Sequence, residues 1–236
     1  MIQSTLLWQN LLAELPKTPQ HIIDIGCGTG TLTNEIARAG HQVVGIDQSA
    51  NMIKQARAKF PQLDLQIKNV LLPVMQTERY DVVFSNAVFH WIKDQDKLLQ
   101  NIFTLLKANG QLICEFGAAG NIARIQQAFQ HELTQLDREY HSPFFFPTRL
   151  DYATLLRSHQ FKVEEITVYD RPTVLAGGAA GLKNWIEQFF ATDLFKLSQA
   201  KQTLIIHNMV QNLKDSLWKQ DHWEADYRHI KVRASK

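Results

Sequence analysis

The sequence predicts an α/β fold: a largely parallel sheet with helices packed on both of its faces. Three observations carry that prediction. Short apolar runs alternate with amphipathic helical patterns through the first half of the chain, the order that builds βα units and a parallel sheet. A glycine-rich segment, Asp24-Ile25-Gly26-Cys27-Gly28-Thr29-Gly30, joins the first such run to the first such helix. A second acid, Asp47, closes the next apolar run. With 236 residues and 45% hydrophobic content, the chain has room for a sizeable core and for an insertion.

The elements follow in order. Leu6, Leu7, Leu11, Leu12 and Leu15 form a helical stripe that Pro16 ends, and residues 21–25 read as the first strand. Leu32, Ile36 and Ala39 share one face of the next helix, which stops at Gly40 in the position that ends helices. Residues 42–46 are a buried strand, and Ser49 is placed to cap a helix that runs to Phe60 before Pro61. Further strands are expected over 63–67, 81–85 and 111–116, with a helix over 96–107 that buries Leu98, Leu99, Ile102, Leu105 and Leu106. In the second half, residues 121–140 read as a helix and 142–147 as an aromatic loop. A helix follows from Thr148 to about His159, then a strand over 161–169. From Pro172 to about Gln220 the pattern is mostly helical, broken at Ala176-Gly177-Gly178-Ala179. Residues 227–234 alternate Ile230, Val232 and Ala234 with His229, Lys231 and Arg233, the period of a strand.

The glycine loop and its two acids carry the chemistry. Glycines between a strand and a helix let the backbone approach a ligand where N–H groups point outward. The carboxylate of Asp24 at the strand end repels phosphate and attracts an ammonium group, which favours a ligand with an amino-acid end. An acid at the end of the second strand, roughly 20 residues beyond the loop, is the usual partner of ribose hydroxyls. Asp47 occupies that place. The spacing is Gly-x-Gly-x-Gly, not the Gly-x-Gly-x-x-Gly of dinucleotide enzymes, which counts against NAD.

On these residues the chain resembles the class I S-adenosylmethionine (SAM)-dependent methyltransferases. The segments Tyr80–Trp91, Leu106-Lys107-Ala108-Asn109-Gly110, Glu115–Ile122, Phe145-Phe146-Pro147, Arg171-Pro172-Thr173, Gly181–Trp185 and Trp223–Arg228 extend the likeness to the trans-aconitate methyltransferase group, over nearly the whole chain. The resemblance implies a Rossmann-like, seven-stranded, mostly parallel sheet whose last strand is antiparallel. It also implies one methyltransferase domain over 1–236 with an inserted helical cap formed by about 121–147 and 172–220. Asp24, Gly26, Cys27, Gly28 and Gly30 would surround the methionine part of SAM, Asp47 would hold the ribose, and Gln48, Met52 and Val70 would flank the adenine. Where many members place an Asp for the adenine amino group this chain has Asn69, whose amide oxygen accepts without charge, so weaker binding is expected. Family members usually fold an N-terminal segment over SAM. About 20 residues precede the first strand here, so that lid is expected to be short, or the start truncated.

The acceptor side is less determined. His90, leaving the fourth strand, is the candidate general base, or else it packs beside Trp91 to order the loop. Asn86 would face the methionyl part of SAM or the acceptor. Trp91, Phe146, Arg149 and Arg171 are candidates to bind the acceptor, the two arginines because a planar guanidinium matches a carboxylate. Arg171 could equally brace the hinge before Pro172, and the phenylalanines could be core. The leading expectation is methyl transfer to a carboxylate oxygen of a small molecule, with S-adenosylhomocysteine (SAH) as the other product. The malonyl carrier-protein O-methyltransferase of biotin synthesis, a NAD-dependent oxidoreductase and a non-catalytic SAM-binding module are the alternatives.

Composition narrows the class. A net charge of +2 with 20% charged residues gives no field that implies nucleic acid or an anionic membrane. The two cysteines, Cys27 and Cys114, form no disulfide framework, and no basic leader or membrane-length apolar run is visible. A cytoplasmic, monomeric protein is expected. The remaining histidines show no metal-ligand spacing, and no metal is expected.

Overall fold

The computed structural model describes residues 10–73 and 77–236, so Leu6 and Leu7 of the expected N-terminal stripe lie outside the described residues. In chain order the strands are β1 (His21–Ile25), β2 (Gln42–Asp47), β3 (Asp64–Ile67), β4 (Tyr80–Asn86), β5 (Leu106–Gly117), β6 (Lys162–Asp170), β7 (Thr173–Val174), β8 (Trp218–Lys219), β9 (His222–Ala225) and β10 (Arg228–Ser235). The helices are α1 (Thr31–Arg38), α2 (Ala50–Lys59), α3 (Gln95–Leu105), α4 (Ala123–Thr134), α5 (Arg149–Ser158), α6 (Gly181–Phe189), α7 (Ala191–Leu194) and α8 (Gln199–Leu217). The chain divides into two compact units. The first holds the described residues through Ala118 with Phe144–Val168 and His229–Lys236, and the second holds Ala119–Pro143 and Tyr169–Arg228.

Among the described residues the sheet of the first unit has seven strands, in the order β3-β2-β1-β4-β5-β10-β6. The strands β3 to β5 are parallel to their neighbours, and β10 runs antiparallel to β5. The order reverses between β1 and β4, and at such a point the loops leaving the carboxyl ends part to form a crevice. Alternation along the strands sets the two faces. Ile23, Ile25, Val83, Leu112, Cys114, Phe116, Ile230 and Val232 face one side, in a core with Leu98, Leu99 and Ile102 of α3 and Tyr152 and Leu156 of α5. Ile22, Phe84 and Ile113 face the other, against Leu11, Leu15 and Ile36.

Local chemistry ends these helices where the pattern predicted. Ser49 Oγ accepts the Met52 N–H, and Thr148 Oγ1 accepts the Asp151 N–H. At the end of α1, Gly40 takes φ +94. The strand β5 is longer than the expected 111–116 because a register shift between Tyr80 and Val82 lets its first residues pair with β4 as well.

The second unit departs further from expectation. The helix expected to reach Tyr140 stops at Thr134, whose hydroxyl bonds back to the Gln130 carbonyl, and Asp137 turns at φ +53. The stretch read as mostly helical from Pro172 contains β7 and β8, which flank β9 in a small antiparallel sheet. Strands of two residues carry no readable period. Stacked Phe129 and Phe190, 4.2 Å apart, form part of this unit's core with Trp185, whose Nε1–H donates to the Tyr227 hydroxyl at 2.7 Å. Phe144–Pro147, expected with the cap, belongs to the first unit. Among the described residues no helix is long and apolar enough to cross a membrane.

Candidate functional site

The loop after β1 is shaped by positive backbone angles. Gly26 sits at φ +74, and a Cβ built there would meet Val88 Cγ2 at 2.2 Å, so only glycine lets the β1 and β4 loops close on each other. Gly28, at φ +54, has nothing within 4 Å of its missing Cβ, which leaves its backbone open to a ligand. The Ile46 carbonyl at the end of β2 accepts the N–H groups of Gly26 (2.7 Å) and Cys27 (3.0 Å), fastening the loop to the neighbouring strand.

Two adjoining cavities flank this loop. The larger, about 480 Å³, is walled by apolar Ile46, Met52, Val70, Leu71, Val88 and Trp91, with Asp47, Asn69 and Asn86 as polar points. That volume and that mixture suit a nucleoside-sized ligand. Gln48, Gly26 and Gly28 line it too. The smaller, about 320 Å³, is bounded by Asp24, Cys27 and Thr31, and shares Gly26 and Asn86 with the first.

Asp47 is fixed by its neighbours: Oδ2 accepts the Gly28 N–H at 3.0 Å and Oδ1 accepts the Ser49 N–H at 2.8 Å. Asp24 is 2% exposed, and its Oδ2 accepts the Thr33 hydroxyl at 2.6 Å. Burial lifts its carboxyl from the ordinary 3.8 to about 7, against the pull of the Thr33 bond, and the Asp47 charge adds to the rise. The same burial, with both acids nearby, pushes the Cys27 thiol up to about 12, so it stays protonated and is no nucleophile. Asn69 Oδ1 accepts the Leu71 N–H at 2.9 Å, which turns the chain and sets the side chain at the cavity wall.

The structure thus gathers Asp24, Gly26, Cys27, Gly28, Asp47, Gln48, Met52, Asn69, Val70, Asn86 and Trp91 around the two cavities. Five other expected residues line neither. Gly30 faces α2, where a Cβ built on it would come within 3.3 Å of the Ala56 and Phe60 side chains. His90 Nδ1 accepts the Gly117 N–H at 3.1 Å, which leaves its proton on Nε2. Burial, helped by His229, holds the ring down to about 4, so it is neutral and weakly basic. Phe146 stacks on Phe144 at 5.1 Å and lies 5.8 Å from the His90 ring. Arg149 is exposed at the start of α5. Arg171 belongs to the second unit, where its N–H donates to the Tyr227 carbonyl at 2.7 Å.

Sequence reasoning missed Thr33, and Val88, the residue that makes Gly26 necessary. It also missed Glu115 and His229, which pair at 2.8 Å between β5 and β10. Thr33 was within reach, since it lies three residues into α1, directly above the loop. The pairing of Glu115 with His229 spans 114 residues and leaves no local signal.

Comparison with known proteins gives the family. The methyltransferase domain family matches residues 23–112. An uncharacterized methyltransferase of Schizosaccharomyces pombe is 30% identical over 234 residues, covering 91% of this chain and 86% of that protein. A trans-aconitate 2-methyltransferase of Rhodopseudomonas palustris is 38% identical over 109 residues, covering 44% of this chain and 41% of that protein, so the match spans under half of that relative. Phosphoethanolamine N-methyltransferase 2 of Haemonchus contortus, solved in complex with S-adenosyl-L-methionine, shares the fold with a TM-score of 0.59 at 21% identity, covering 97% of this chain and 52% of that one. The strand order, the glycine loop with its two acids and the relative matched over most of both chains lead to one conclusion: the chain belongs to the class I SAM-dependent methyltransferases.

Proposed function

We propose that the acceptor is a small-molecule carboxylate, methylated on oxygen. The observation that carries this reading is the state of His90. Its Nδ1 is engaged by the Gly117 N–H and its ring is held near 4, so it offers little help to an acceptor that must first lose a proton. A carboxylate is already ionised at neutral pH and needs no base. The name of the Rhodopseudomonas palustris relative, a methyltransferase of trans-aconitate, supports the same class.

When bound, SAM supplies a methyl group activated on a sulfonium. The residues around the cavities fit it: Asp47, kept in place by its own backbone bonds, would accept from the ribose hydroxyls, and Asn69 would accept from the adenine amino group. Met52, Val70 and Leu71 would flank the base, and Asp24 would meet the ammonium through the smaller cavity. Asn86, shared by both cavities, would lie beside the reacting end. What remains for the protein is to hold the acceptor in line and exclude water, an effect worth up to ~7–11 kcal/mol.

The test is a methyl-transfer screen with SAM over small di- and tricarboxylic acids, alcohols, phenols and amines, read by mass spectrometry. Methyl esters of acids are expected. Products only among amines or alcohols would overturn the carboxylate reading and return attention to a base.

A further inference from the structure

The sheet carries an unexplained polar row. Alternation puts Asp24 two residues past Ile22, Asn86 two past Phe84, and Glu115 two past Ile113, all on the face that those apolar residues share. Asn86 and Glu115 are register partners on β4 and β5, and His229 and Gly117 are register partners on β10 and β5. Glu115 is 1% exposed, yet it lines neither of the two cavities at the glycine loop. A buried carboxylate costs several kcal/mol unless well paired, and an aliphatic residue like Ile113 would serve packing alone better. Its Oε1 lies 2.8 Å from His229 Nδ1.

The same short stretch of β5 grips the β4 loop twice. The Glu115 carbonyl accepts the Ala87 N–H at 2.7 Å, where the chain turns at φ +59 directly after Asn86. Two residues on, the Gly117 N–H donates to His90 Nδ1. His90 and His229 are therefore both tied to Gly117, one through a hydrogen bond and one across the strand pair, and His229 adds to the burial that holds His90 down. The segment held by the two grips walls the larger cavity: Asn86, Ala87, Val88, Trp91 and Ile92, within or beside them, all line it.

We propose that Glu115 and His229 are a positioning pair for the methyl-transfer site: the carboxylate fixes the His229 ring, and the pair holds His90 on Gly117, so that residues 86–92 keep their cavity-facing conformation. Neither residue touches the cofactor in this account. It rests on the reading of the larger cavity as the nucleoside site.

The test uses the isotope-labelled full chain at neutral pH, with imidazole nitrogens observed by NMR and assigned through His90→Gln and His229→Gln, alongside calorimetric titration with SAH. The wild type is expected to show His90 with its proton on Nε2. In Glu115→Gln both His90 nitrogens should shift and the SAH dissociation constant should rise about tenfold, the tax on a site that holds its binding conformation only part of the time. Glu115→Asp, which restores the anion, should recover part of that affinity. The proposal fails if Glu115→Gln leaves the His90 signals and SAH affinity as in the wild type, or if wild-type His90 carries its proton on Nδ1. Should Glu115→Gln not fold, His229→Asn gives the same reading, and a wild-type Nδ1 tautomer overturns the proposal without any variant. Wild-type protein that shows the expected tautomer but binds no SAH would refute the nucleoside site and not the His90 anchorage.

Discussion

Asp47 serves two structures at once. Its carboxylate closes the glycine loop through Gly28 and starts α2 through Ser49, so both oxygens are held in place before any ligand binds. Replacing it with Ala should weaken SAH binding by about 1.5–3 kcal/mol, the range for hydrogen bonds to a charged group. Unchanged affinity by calorimetry would put the sugar elsewhere. Asp24 makes a prediction about pH. Its carboxyl is raised to about 7, so between the ordinary carboxylate range and pH 7 the native protein holds a proton that the unfolded chain has released. The unliganded fold therefore loses stability as pH rises through that window. Cofactor binding runs the other way, because the ammonium needs the ionised acid: affinity should fall about tenfold for each pH unit below about 7 and level off above it. Asp24→Asn should flatten that dependence, and a slope that survives the substitution would assign the proton to another group. Both acids were legible in the sequence because a strand end and a glycine loop are local. The height of the Asp24 pKa was not, since it depends on burial and on Thr33, which only folding supplies.

At the scale of the element, the site is a junction of loops, and Gly26 is its tightest point. Alanine there would place Cβ against Val88 and force a side chain into φ +74. Gly26→Ala should abolish measurable SAH binding and lower the unfolding free energy by at least about 1 kcal/mol. Retained binding would mean that the β4 loop yields more easily than the packing implies. The helices and strands of the first unit were readable because their apolar periods are long and their ends chemically marked, by Ser49 and Thr148 at the starts and Gly40 after α1. The second unit was read poorly for the opposite reason. β7 and β8 have two residues each, and their pairing with β9 is decided by residues far along the chain. The acceptor candidates fared likewise: Arg149 and Phe146 were chosen by residue type, and type alone does not say which way a side chain faces.

For the whole molecule, the assignment makes a thermodynamic claim. A ligand that binds only the native state adds about 2.7 kcal/mol at a hundredfold excess over its dissociation constant, so SAH should raise the melting temperature and NAD should not. Stabilisation by NAD alone would remove the methyltransferase reading of the cavity. The strand order that supports this reading has a further consequence, for biosynthesis. β10 lies between β5 and β6, with Ile230, Val232 and Ala234 wholly buried, yet it follows every other strand in the chain. A polypeptide still growing on the ribosome must wait with a vacant slot inside the β6 edge of its sheet until residues past 228 emerge. The edges of β5 and β6 stay open to wrong partners throughout that delay.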